Sequence, residues 1–279
     1  SYSGGGIYVE YSSPTIGGDT FTDTDNFNTI CGNIPDQVVP NNYPNNDYCY
    51  FTFDSTSRTI TDYSTSGGLV VNIPTMIGGV PVEHIGDQAF FNRDLTSITI
   101  PDSVITIDRY AFSQNDLEEV IIPDSVTTID YGAFDTNSLS LLTLGNSLTT
   151  IGGYAFYNNQ LEEIIIPDSV TAIGSVHFGD GYVFANNLLT SVEFGNSLSI
   201  IGYAAFENNN LSSVTIANNV TISNNTFKNN TLDLITIGTH VYIIDSDSST
   251  MGTNPGFPAV YEFNGEGTYN YTGGAWVKE

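Results

Sequence analysis

The chain has 279 residues and carries 31 Asp and Glu against five Lys and Arg, a net charge of -26. That imbalance excludes nucleic acid and anionic membrane as partners, because both would be repelled. It suits a salty, calcium-rich or extracellular setting, or simply keeps a Thr- and Asn-rich surface in solution. No stretch is long and apolar enough to span a bilayer. The sequence begins at Ser1 rather than Met, as expected of a processed or trimmed form.

Residues 1–57 form an N-terminal segment rich in Gly, Asn, Asp, Thr and Tyr. It is expected to cap the first coil of the array that follows, since an open solenoid end must be covered. Ile7, Tyr8, Val9, Glu10 and Tyr11 read as a strand behind Gly4, Gly5 and Gly6. That strand either pairs within its own chain or is donated to the sheet edge of another subunit. Asp19, Asp23, Asp25 and Asn26 offer oxygen ligands of the kind Ca2+ takes. They lack the Gly and the closing Glu of an EF-hand loop, so a solvated acidic loop is the plainer reading. Cys31 and Cys49 are the only cysteines. A disulfide between them would close a loop worth roughly 3 kcal/mol and imply an oxidising compartment; two free thiols are the alternative. With no His nearby, their spacing does not suit zinc. Phe51 to Phe53 and Thr59 to Tyr63 read as a strand pair.

From residue 58 to residue 244 one phrase of 22 residues repeats, which is the signature of a solenoid. An Ala-Phe pair recurs at Ala89-Phe90, Ala111-Phe112, Ala133-Phe134, Ala155-Phe156 and Ala205-Phe206, with Phe184 and Phe227 in the same slot. A Leu follows each Phe by five residues, from Leu95 to Leu232, and an Asn stands two before most of them, at Asn115, Asn137, Asn159, Asn187, Asn209 and Asn230. Alternating triplets come next: Ile98-Thr-Ile100, Val120-Ile-Ile122, Leu142-Thr-Leu144, Ile164-Ile-Ile166 and onward. Period two in β-branched residues predicts short strands with one buried face. Pro101, Pro123, Gly145, Pro167, Gly195 and Gly238 turn the corner. A Val or Leu and then an Ile, as at Val104 and Ile107, complete the inward set. A return arc of tight turns follows.

The expected architecture is a mainly β coil stack with one parallel sheet, short helical or irregular turns on the return arc, and caps at both ends. Six apolar side chains per coil bury roughly 9–18 kcal/mol, less than the cost of ordering one coil, so no coil stands alone. The Asn slot is expected to satisfy backbone groups in the open turn.

This phrase resembles the BspA-type (Treponema-type) leucine-rich repeats of bacterial surface and secreted proteins, from about Thr59 to Ile244. Ile73-Pro74 and Ile77-Gly78-Gly79-Val80-Pro81 look like that family's irregular first coil. The resemblance implies a right-handed coil stack that serves as an adhesin or interaction module. It implies no shared active site, and no residue role carries over.

The one large break in the period comes between Ile173 and Phe184, where Val183-Phe184 keeps the frame. Six extra residues therefore lie within Ser175 to Tyr182 and bring His177, Phe178, Asp180 and Tyr182 onto a surface loop, as a binding loop or a neutral length variant. Residues 245–279 form the C-terminal cap. A hairpin is expected around Gly273 and Gly274, with Trp276 over the open end of the stack.

Corresponding residues on adjacent coils stack about 5 Å apart. Asp102 with Asp124, and Asp108 with Asp130, are therefore candidate cation pairs, with ordinary turn-capping Asp the alternative. Ca2+ is the one candidate ion and no cofactor is expected. His84, His177 and His240 fall in different repeat slots and no catalytic motif is present, so catalysis is not expected. The outward strand positions Thr99, Ile121, Thr143, Ile165, Glu193, Thr215 and Thr236 lack aromatics and suit protein or self contact better than glycan. The expected function is a secreted or cell-surface interaction and adhesion module that binds a protein or other macromolecule. The alternative is a subunit of an extracellular filament assembled through its N-terminal strand.

Overall fold

A computed structural model describes residues 15–16, 19–20, 50–176, 179–223, 225–243, 267–272 and 275–278. The Cys31–Cys49 pair, the strand Ile7–Tyr11, Asp23, Asp25 and Asn26 lie outside these residues, as do His177 and Phe178. Trp276 stands on the last strand, and its side chain is likewise outside them.

Phe90, Phe112, Phe134, Phe156, Phe184, Phe206 and Phe227 are fully buried and stack one on the next. Their ring centroids are 4.9 Å apart at Phe90–Phe112 and 5.7 Å at Phe206–Phe227. One coil shows the rule. Ile107, Ala111, Phe112, Leu117, Val120, Ile122 and Val126 are each no more than 2% exposed. All belong to a single core that runs from Phe51 to Val241. Phe184 lies 5.3 Å from Phe156, so the six added residues leave the spine in frame.

The Asn slot supplies the polar half of that spine. Asn115 donates from Nδ2 to the carbonyls of Phe90 and Phe112, both at 2.9 Å. Its Oδ1 accepts from Arg93 N and Leu95 N at 3.0 Å. Asn137, Asn159, Asn187, Asn209 and Asn230 repeat the donor pattern to the carbonyls of their own and the preceding Phe. Each Asn thus closes a turn and ties two coils together at once.

Two lines of parallel strands run along the stack, and the continuous one is not where a single sheet was expected. Two-residue strands at His84–Ile85, Thr106–Ile107, Thr128–Ile129, Thr150–Ile151, Ala172–Ile173, Ile200–Ile201, Thr221–Ile222 and Tyr242–Ile243 join in register with Thr59–Tyr63 and Phe51–Asp54 as one ten-stranded sheet. The line that contains Ser97–Thr99 is interrupted. Val70–Asn72 pairs Ser97–Thr99, Glu119–Ile121 pairs Leu141–Thr143, and Glu163–Ile165 pairs Ser191–Glu193.

Two of these three pairs close at a glycine corner. A Cβ on Gly145 would stand 2.4 Å from Pro123 O, and one on Gly195 would stand 2.3 Å from Pro167 O. Only Gly allows a coil to approach a Pro-ended coil that closely. Glycine is not required for every ladder: the Pro74 and Pro101 coils pair without one, while the Pro101 and Pro123 coils do not pair.

Thr59–Tyr63 and Phe51–Asp54 make an antiparallel pair that starts the stack, and Tyr63 lies 5.2 Å from Phe90. Met76–Ile77 and Val80–Pro81 form a hairpin on Gly78 and Gly79, both at positive φ. At the other end Gly267–Thr272 pairs antiparallel with Leu234–Ile237 and with Ala275–Lys278.

Candidate interaction surface

The interrupted strand line presents alternate side chains outward. Along it Ile121, Leu141 and Ile165 are 60%, 50% and 65% exposed. Register sets Leu141 beside Glu119, and Ile165 beside Glu193. Glu118, Glu119, Glu162, Glu163 and Glu193 are exposed around them. Among the described residues the ion pairs are Arg58–Glu83, Arg93–Asp62 and Lys228–Glu207. None of the three takes up any of these five carboxylates. The face is therefore apolar knobs in an acidic field, with Thr99, Thr143, Thr215 and Thr236 completing the row.

The paired Asp slots are occupied locally. Asp124 Oδ1 accepts from Asn146 N at 2.7 Å, and Asp168 Oδ1 accepts from Asn196 N at 2.8 Å. Asp102 is exposed. Asp130 Oδ1 accepts from Tyr131 N at 2.7 Å, and Asp108 Oδ1 accepts from Thr106 Oγ1 at 3.2 Å. His84 Nδ1 meets the same hydroxyl at 2.7 Å. Burial pushes the Asp108 carboxyl up, and the Asp130 charge adds to that only weakly. Among the described residues no three His, Cys, Asp or Glu gather as a metal cluster.

The added loop folds back on the stack. Ser175 N donates to Asp180 O at 2.9 Å, and Tyr154 N donates to Gly181 O at 2.7 Å. Asp180 is exposed and Tyr182 half-buried. Tyr182 belongs to a line of rings with Tyr110, Tyr131, Tyr154 and Tyr203, whose successive centroids lie 5.0 Å to 5.5 Å apart. Two repeat slots supply the line. Tyr131 precedes Gly132, whereas Tyr154 and Tyr182 follow Gly153 and Gly181. A Cβ on Gly132 would lie 2.5 Å from the Tyr110 ring, so each small residue makes room for a neighbouring coil. Burial pushes the Tyr131 phenol up to about 12 and also raises Tyr154 and Tyr182.

The repeat grammar and the stacked coils agree with the comparison to known families. The model of the BspA type leucine rich repeat region matches residues 71–181 and 176–250, in six copies. The chain belongs to this family. Members of the family are commonly surface-associated in bacteria, and its fold is typically non-enzymatic. No curated protein matches the chain. Among solved structures it is similar to a leucine-rich repeat protein from Bacteroides ovatus ATCC 8483, at 20% identity over 68% of this chain and 89% of that one, with a TM-score of 0.20. Among the described residues no helix is long and apolar enough to cross a membrane.

Proposed function

We propose that this BspA-type repeat array is a non-enzymatic interaction module that works at the cell surface or outside the cell. Its partner is a protein with a basic, partly apolar surface. The observation that carries this reading is the strand face around Ile121, Leu141 and Ile165, three large apolar side chains left in water among five exposed carboxylates. Burying them against a partner removes the solvation penalty of the apolar area. The carboxylates steer and register a basic surface and repel an acidic one.

Surface plasmon resonance against immobilised basic and acidic proteins of similar size tests this. Binding is expected on the basic set alone and should weaken as salt rises. Replacing Ile121, Leu141 and Ile165 together by Ser should weaken it by about tenfold or more. Equal binding of both sets, or indifference to the triple substitution, refutes the reading. Sedimentation of the chain alone addresses the filament alternative, because a filament subunit would grow into large species without any partner.

A further inference from the structure

A second site lies on a different stretch of each coil, just after the ten-stranded sheet. Two coils there read Asp108-Arg109 and Asp130-Tyr131, but the next reads Gly152-Gly153. Two side chains are thus missing from one arc. The coil that follows sets the Asp180 backbone over that gap. A Cβ on Gly153 would lie 2.5 Å from the Asp180 carbonyl carbon, so the loop backbone rests on the glycine itself. Gly174 and Gly179, at φ +66° and +107°, let the loop leave and return.

The result is a groove of about 570 Å³. Its floor is glycine backbone, and one wall is the half-buried aromatic surface of Tyr110 and Tyr131. Arg109 lies over the Tyr131 ring, 5.4 Å from its centroid, and makes no ion pair with any described carboxylate. Asp130 and Asp180 line the same space.

These groups select a ligand by elimination. A cationic side chain would be drawn to Asp130 and Asp180 but would share the groove with the Arg109 guanidinium. An anionic ligand would meet two carboxylates in a chain of net charge -26. A ligand with no charge, many hydroxyls and a flat C–H face satisfies all of them: carboxylates accept, the guanidinium donates, and the rings cover the apolar face. We propose that this groove binds a neutral saccharide, one or two pyranose units of a longer chain, held by Arg109, Asp130 and Asp180 against Tyr110 and Tyr131. The Tyr131 phenol, like any phenol, is protonated at physiological pH and burial only pushes it further up, so it can donate.

Isothermal titration calorimetry on the intact chain tests this with cellotetraose, chitotetraose, mannotetraose, tetragalacturonate and tetralysine. At least one neutral tetrasaccharide is expected to bind, while the acidic oligosaccharide and tetralysine do not. Arg109→Ala and Asp180→Asn, both on exposed side chains, should each weaken binding by about tenfold. Their thermal melting should stay that of the parent. Ile121→Ser, on the strand face, should bind the sugar unchanged, which separates this site from the protein-binding one. Tighter binding of either charged probe, binding by none of the neutral sugars, or indifference to both groove substitutions overturns the proposal.

Discussion

Asn159 shows how much one side chain holds in this fold. Its amide donates to Phe134 O at 3.0 Å and Phe156 O at 3.2 Å, and it accepts from Leu139 N at 3.0 Å. All are buried. Asn159→Ala strands three backbone groups at once, at ~1–3 kcal/mol for each one left unsatisfied, so a loss of about 3 kcal/mol or more is expected in urea unfolding. Asp135 is the opposite case. Burial raises its carboxyl by more than the hydroxyls of Ser113 and Thr136 lower it. A raised folded-state value means that the folded chain binds the proton more readily. Stability therefore falls as pH climbs through the window above the ordinary value of 3.8, and the penalty is complete at neutral pH. Asp135→Asn should melt a few degrees above the parent at pH 7, and the two should converge in acid below that window. A gap that persists there would mean that packing, not charge, sets the difference. At this scale the Asn slot was legible because it recurs at one offset. The tyrosine line was not, because Tyr131 and Tyr203 stand one slot before Tyr110, Tyr154 and Tyr182. A search at fixed period passes over a ladder that zigzags.

At the scale of the element, the strand triplets after each Leu announced themselves by alternation. The two-residue strands such as Thr106–Ile107 did not, since two residues carry no period, and only their Ile was read as inward. Yet these short strands form the ten-stranded sheet, and the legible triplets form broken pairs. Pro and Gly both looked like corner residues, but they are not interchangeable. A Cβ at Gly145 meets Pro123 O at 2.4 Å, and that atom is backbone with nowhere to go. Gly145→Ala should therefore force the Glu119–Ile121 and Leu141–Thr143 strands apart. Ile122 N donates to Thr143 O at 2.9 Å across this junction. Hydrogen exchange should show the Ile122 amide losing protection, while the Thr128–Ile129 and Thr150–Ile151 pairing keeps its own. Protection unchanged at Ile122 would mean that the corner glycine does not set the ladder.

The whole molecule sets a nearest-neighbour stack against a uniform charge. Each coil is held by its two neighbours through Phe, Asn and strand contacts, so stability adds up along the array. Acidic side chains outnumber basic ones 31 to five, and three of those five bases are already engaged in Arg58–Glu83, Arg93–Asp62 and Lys228–Glu207. Like charges meet directly on adjacent coils at slots such as Asp108 and Asp130, about 5 Å along the axis. Others face neutral neighbours, as Glu119 faces Leu141, so the repulsion is spread over the whole acidic surface. Unfolding spreads those charges apart, so repulsion lowers the stability of the stack. Salt screens over ~10 Å at 0.1 M and ~3 Å at 1 M, a range that spans neighbouring coils at the low end and not at the high end. Melting at pH 7 should therefore rise steadily as NaCl goes from about 0.01 M to 1 M, with the gain largest early. The same titration at pH 4, near the calculated isoelectric point of 4.1, should be nearly flat because little net charge remains to screen. Equal salt gains at both pH values would assign the effect to apolar burial instead, which salt also strengthens and which does not depend on carboxylate ionisation.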